Sequence, residues 1–123
     1  MGYDGRCYYF SNGTRNWNES LEFCSSLDAS LVIIKTKSDL EIINRYKEHF
    51  YYWIGLAKGA EGWRWVDGSP FTNDIITLEN EAPNLNCGYL NTEKIVTIAC
   101  ESLRRWICIR DVNPTFGPSR AAS

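Results

Sequence analysis

The chain has 123 residues, enough for one hydrophobic core and too few for two ordinary domains. Hydrophobic residues make up 44% and charged residues 23%, an ordinary globular balance, and a formal net charge of -2 lacks the basic character that a polyanion-binding surface requires, so no nucleic-acid partner is expected. Five cysteines and the sequons Asn12-Gly13-Thr14 and Asn18-Glu19-Ser20 favour the secretory route, where disulfides persist and Asn12 and Asn18 would carry glycans.

The chain begins Met1-Gly2 with neither a signal-peptide pattern nor a run of about 18 apolar residues. It is therefore expected to be an ectodomain separated from its targeting and anchoring segment. Cys7-Tyr8-Tyr9-Phe10 suits a strand, closed by a turn at Ser11-Asn12-Gly13. Asn16 with Glu19 fits an N-terminal capping box. Trp17, Leu21, Cys24 and Leu27 then recur at helical spacing opposite the polar Asn18, Glu22 and Ser25. Leu31-Val32-Ile33-Ile34 reads as a short strand buried on both sides. Ser38 with Glu41 repeats the capping box and opens a second helix whose buried stripe is Leu40, Ile43, Tyr46 and Phe50.

Three of the five tryptophans lie in the next stretch, which reads as a core hairpin. Trp53-Ile54-Gly55-Leu56 and Trp63-Arg64-Trp65 are strands joined through Gly59 and Gly62, with the two indoles of the second strand on one face. Each buried indole removes roughly 150–250 Å² from water. Residues 71–86 show no sustained period and read as a long loop, and loops of this length in a compact domain are usually functional or disordered. Cys87-Gly88-Tyr89-Leu90, a turn at Asn91-Thr92-Glu93-Lys94, residues 95–100 and Trp106-Ile107-Cys108-Ile109 complete an antiparallel second half. Residues 111–123 hold two prolines, one glycine and no apolar period, and are expected to form a flexible tail or an engineering remnant.

Cysteine pattern alone leaves the connectivity open. Zinc is poorly supported, because no C-x-x-C pair occurs and the only histidine, His49, is remote from every cysteine in sequence. The order of a helix cysteine, W-I-G-L, W-x-W, two further cysteines and W-I-C, running from Cys7 to Arg110, resembles the C-type lectin-like domain. The resemblance implies an α+β C-type lectin-like fold with two helices, antiparallel sheets and a long loop region, occupying residues 1–110. It further implies the disulfides Cys24–Cys108 and Cys87–Cys100. Long-form members pair a cysteine matching Cys7 with one upstream, which would leave Cys7 unpaired here.

Sugar binding in that family is implied to need a Ca²⁺ site built from an E-P-N or Q-P-D triplet in the long loop and an N-D pair after a tryptophan. Such oxygens suit a cation that takes about six to eight of them. Ile95-Val96-Thr97 stand where W-N-D would be, and Glu81-Ala82-Pro83-Asn84 carries an extra alanine within the triplet. No metal or other cofactor is therefore expected. Without those ligands the resemblance points to the natural-killer-receptor and lymphocyte-activation-antigen branch, whose type II membrane proteins present the domain to protein partners. The expected function is calcium-independent recognition of a cell-surface protein by an immune-cell receptor or ligand, dimeric in its intact form. The expected face comprises Asp74, Glu79, Glu81, Asn84, Asn86, Tyr89, Glu93 and Lys94, with Arg104 and Arg105 at its edge. Calcium-independent glycan recognition through Tyr51, Tyr52 or Tyr89, or a secreted lectin-like protein, is the alternative. Catalysis and a small-molecule substrate have almost no material, because there is no G-x-S-x-G, no phosphate-cradling loop and no arguable carboxylate pair.

Overall fold

A computed structural model describes residues 2–3, 5–79 and 84–111. The elements run β1 (Gly2–Tyr3), β2 (Arg6–Phe10), α1 (Trp17–Ser26), β3 (Ser30–Leu31), α2 (Lys37–Tyr46), β4 (Tyr52–Gly59), β5 (Gly62–Trp65), β6 (Thr77–Glu79), β7 (Cys87–Asn91), β8 (Lys94–Ile98) and β9 (Arg105–Asp111). The expected site residue Glu81 and the tail from residue 112 onward lie outside the described residues.

The main sheet has the order β1-β2-β9-β4-β7-β8-β6. The central strand is β4, as its tryptophan and aliphatic content predicts. One edge of β4 takes β7 antiparallel. The other edge is shared: Tyr52 and Trp53 pair parallel with Arg105 and Trp106, while residues 56–59 pair antiparallel with β5. The second half is thus mixed rather than purely antiparallel, since β6 also pairs parallel with β8. Alternation along β4 divides the core in two. Tyr52, Ile54 and Leu56 join one apolar cluster with Ile43, Leu90, Ile95 and Ile107, whereas Trp53 joins a second with Trp17, Cys24, Leu31 and Trp106. Trp17 and Trp53 satisfy their indole N–H groups by donating to the carbonyls of Ile54 (2.9 Å) and Arg15 (2.8 Å), which seats α1 on the sheet.

Local expectations meet several corrections. The first capping box stands at Asn16 and Glu19 as expected, but Leu27 at the end of α1 is 43% exposed. The second box is formed by Thr36 and Asp39 rather than Ser38 and Glu41. The α2 helix stops at Tyr46, so Tyr46 and Phe50 are not buried; Ile42 and Ile43 are. Of the expected strand at 31–34 only Leu31 forms a ladder, together with Ser30 before it. Val32 then bridges two strands, its N–H donating to Ile107 and its carbonyl accepting from Gly55. The loop expected over residues 71–86 contains β6. The last strand runs through Asp111, one residue past the expected boundary, and Asp111 pairs with Arg6. Disulfides join Cys24 to Cys108 and Cys87 to Cys100, and Cys7 is a free, exposed thiol.

Candidate functional site

One row of side chains crosses five strands. Strand register aligns Trp106 of β9, Trp53 of β4, Tyr89 of β7, Val96 of β8 and Glu79 of β6 on the same face. Burial falls along that row: Trp106 and Trp53 lie under α1, Tyr89 and Val96 are half-buried, and Glu79 is exposed. Among the described residues helix α1 covers only the β9–β4 part, which leaves the β7–β8–β6 part as an open sheet face. The next row holds Asn91, Lys94 and Thr77. Lys94 and Glu79 form an ion pair at 3.0 Å across this face.

The opposite side of the same strands is core. Ile95 is fully buried beside Leu90, and Thr97 is buried with its hydroxyl 3.3 Å from the Glu79 carbonyl, to which it donates. Of the two positions where the resemblance would require the N-D ligands, Thr97 points into the interior and Val96 contributes an isopropyl group to the open row, while Ile95, in the tryptophan's place, is core. Among the described residues no group of three or more histidine, cysteine or carboxylate side chains is placed to hold a metal ion.

The expected face is assembled only in part. Glu79, Tyr89 and Lys94 come together, and Glu93 stands at the β7–β8 turn, where Thr92 adopts a positive φ of 52°. The side-chain amide of Asn44 in α2 donates to the Thr92 carbonyl at 2.8 Å and braces that turn. Asn84 and Asn86 lie at the other end of β7. The Asn86 carbonyl accepts from Lys58 N–H at 2.8 Å, so it fastens β4 instead of joining the cluster. Asp74 accepts from the Thr72 hydroxyl within its own loop.

Arg104 joins the face directly. Its guanidinium lies 5.0 Å from the centre of the Tyr89 ring, and Tyr51 stacks obliquely on Tyr89 at 5.2 Å. Arg105 turns to the other side of β9 and lies over Phe50 at 3.6 Å. Tyr52, an expected aromatic candidate, is buried and unavailable to a ligand. Sequence reasoning missed Arg15, whose backbone pairs with that of Arg104 and whose guanidinium lies 5.5 Å from both the Phe23 and Trp106 rings. It precedes the helix cap and belongs to no periodic segment, so only the pairing with Arg104 reveals it.

A family model for the lectin C-type domain matches residues 13–110. The chain belongs to the C-type lectin domain family. Within that family it is 36% identical over 115 residues to human C-type lectin domain family 2 member B, covering 92% of this chain and 74% of that protein. It is 34% identical over 108 residues to human killer cell lectin-like receptor subfamily G member 1, covering 88% and 54%. The chain spans about half the length of several such relatives. These relatives place this C-type lectin domain in the natural-killer-receptor and lymphocyte-activation-antigen branch. Among solved structures, the C-type lectin domain of murine dendritic cell inhibitory receptor 2, in complex with N-glycan, matches with a TM-score of 0.79 and 26% identity over 90% of this chain and 94% of that one. A mouse scavenger receptor C-type lectin carbohydrate-recognition domain has the same fold, with a TM-score of 0.80 at 22% identity, covering 92% and 95%.

Proposed function

We propose that this C-type lectin-like domain is a calcium-independent protein-recognition module of an immune-cell membrane receptor or ligand of type II topology, and that it is not an enzyme. The observation that carries this reading is the open β7–β8–β6 face. It offers Tyr89, Val96, Glu79 and Lys94 on rigid strands, and Val96 and Thr97 stand where a sugar-binding relative would need its N-D oxygen ligands, with Thr97 committed to the interior. A mixed-charge surface around a half-buried tyrosine suits a reversible contact between cells, with charge complementarity setting partner choice. Homodimerisation of the intact protein is part of the proposal. Among the described residues no helix is long and apolar enough to cross a membrane, so the anchor is assigned to sequence outside this domain.

The test is to stain cells displaying a library of surface proteins with a labelled multimer of the domain, beside a glycan array run with and without chelator. A protein partner whose binding is lost on Glu79→Lys or Tyr89→Ala, and is indifferent to EDTA, is the expected outcome. The melting temperature should likewise be unchanged by millimolar calcium or by chelator, because a ligand that binds only the folded state would raise it. A saturable glycan signal abolished by chelator, with no protein partner, would overturn the proposal.

A further inference from the structure

We infer that the arginine-bearing end of the sheet, where β4 and β9 begin side by side, anchors the docking surface and receives an acidic protein segment. This rests on the reading that the open face binds a protein, and adds to it the anchor and the charge of the partner.

Arg15 and Arg104 are held together by reciprocal backbone hydrogen bonds of 3.0 Å, and Arg105 follows at the start of β9 with its side chain on the opposite side, donating to the Ser11 carbonyl at 3.4 Å. Each guanidinium is laid on aromatic rings: Arg104 on Tyr89, Arg15 on Phe23 and Trp106, Arg105 on Phe50. A guanidinium pre-extended over a ring loses less rotamer freedom when it takes up a carboxylate, and its planar fork matches that group.

The charges here are uncompensated. None of the described carboxylates pairs with Arg15, Arg104 or Arg105; Lys37, Arg45, Lys47, Lys58 and Arg110 are likewise without an ion pair, but only these three unpaired arginines adjoin one another at one end of the sheet. Glu101, exposed in the preceding turn, forms no ion pair with them. The Arg104 Nε is buried without an acceptor, a state that few groups in folded proteins retain. In a chain of net charge -2, this is a local positive field of opposite sign to the whole. Large apolar side chains flank it, with Phe50 42%, Tyr51 48% and Leu103 57% exposed. Arginines with exposed aromatics are the composition of an interface anchor. In the charged concavity at the β2–α2 side, by contrast, Arg6 pairs with Asp39 and Lys35 with Asp67, so most of its charge is met internally.

The probe is a short peptide alternating glutamate and tyrosine, compared with its glutamine counterpart and a heparin oligosaccharide. Each is titrated into isotope-labelled, unglycosylated domain while amide and arginine Nε–Hε correlations are followed. The glutamate peptide should shift Arg15, Arg104 and Tyr89 saturably, the glutamine peptide should not, and the affinity should fall as salt rises. Arg15→Gln and Arg104→Gln should each weaken the peptide by about tenfold while the spectrum stays dispersed, and Arg110→Gln, at the far end of β9, should not. The inference is overturned if the glutamine peptide binds equally, if shifts fall elsewhere or are absent, or if heparin occupies the same residues more tightly than the peptide. In the cell-staining assay, binding that survives both arginine substitutions but is lost on Glu79→Lys overturns this inference and leaves the proposed function standing. Should no cell-surface protein be found, the proposed function fails while the titration still decides whether the arginines take carboxylates.

Discussion

A glycine and an aspartate show how single positions are tied to the fold. A Cβ at Gly55 would stand 2.8 Å from the Leu31 carbonyl oxygen, 2.9 Å from Val66 Cγ2 and 3.1 Å from the Val32 carbonyl oxygen. Two of those atoms are backbone and cannot swing aside, so Gly55→Ala should cost about 2–3 kcal/mol. At Gly88 the obstacle is the Ile95 side chain, 2.8 Å away, which can yield, and about 1 kcal/mol is expected. Nothing lies within 4 Å of a Cβ at Gly59, so Gly59→Ala should change stability by less than about 0.5 kcal/mol. Urea unfolding of the three variants checks the order, and equal losses would refute it. The motif W-I-G-L is legible in the sequence, but the reason for its glycine is not, because the backbone atoms that crowd it belong to Leu31 and Val32 and the side chain to Val66. Asp67 is the second case. Its carboxylate is lowered from 3.8 to about 2, chiefly by the hydrogen bond from Lys35 and then by those from the Ser69 hydroxyl and backbone N–H. A folded-state pKa below the unfolded one stabilises above pH ~4, and that contribution disappears as the pH falls toward 2. Both side chains of the Lys35–Asp67 pair are more than a third exposed, so screening keeps the gain below about 1 kcal/mol. The stability of Asp67→Asn should lie below that of the parent at pH 6 and converge with it near pH 2.

At the scale of elements, the start of α2 separates local pattern from tertiary choice. Thr36-Lys37-Ser38-Asp39 and Ser38-Asp39-Leu40-Glu41 both resemble a capping box, and helical spacing alone does not choose between them. The choice is made by Arg6 on β2, whose guanidinium donates to Asp39 at 2.8 Å and draws that carboxylate inward. Asp39 also accepts from the N–H groups of Thr36 (3.2 Å) and Lys35 (3.1 Å), while its own N–H donates to the Thr36 hydroxyl at 3.0 Å. Thr36→Ala should therefore cost about 1 kcal/mol. Asp39→Ala, which removes the cap partner and strands Arg6, should cost about 2 kcal/mol, discounted because Arg6 is partly exposed. Ser38→Ala should be nearly silent, under about 0.5 kcal/mol. A loss at Ser38 as large as that at Thr36 would restore the other cap. The same logic explains why β6 is illegible in the sequence. Three residues cannot display a period, and β6 is a strand only because β8, later in the chain, supplies its parallel partner. Long, strongly patterned elements such as α1 and the β4–β5 hairpin are legible because burial and local spacing agree there. The candidate face is legible where it follows β7 and β8, and illegible where Arg15 enters it from the segment before α1.

For the whole molecule, the two disulfides constrain the chain on different scales, and this decides which matters more. Cys24–Cys108 spans 84 residues and ties α1 to the strand that lies between β2 and β4, so it encloses most of the fold. Cys87–Cys100 spans 13 residues within a stretch already paired as the β7–β8 hairpin, where Cys87 faces Ile98. Loop-closure entropy removed from the unfolded chain is about 4–5 kcal/mol for the long link and about 3 kcal/mol for the short one. Hairpin contacts that persist in the unfolded ensemble reduce the short link's share further, since its ends are then already near one another. Paired alanine substitution is the fair comparison, because Cys24, Cys87 and Cys108 are buried and a lone thiol would add its own chemistry. Cys24→Ala with Cys108→Ala should lower the unfolding free energy by more than Cys87→Ala with Cys100→Ala. The short-link variant should remain folded at room temperature, with the open face disturbed only at the Cys87 end of β7. If the short link proved the more costly to lose, the entropy of the unfolded chain could not be what ranks the two links, and local packing of Cys87 and Cys100 against Tyr89 and Ile98 would have to carry the difference.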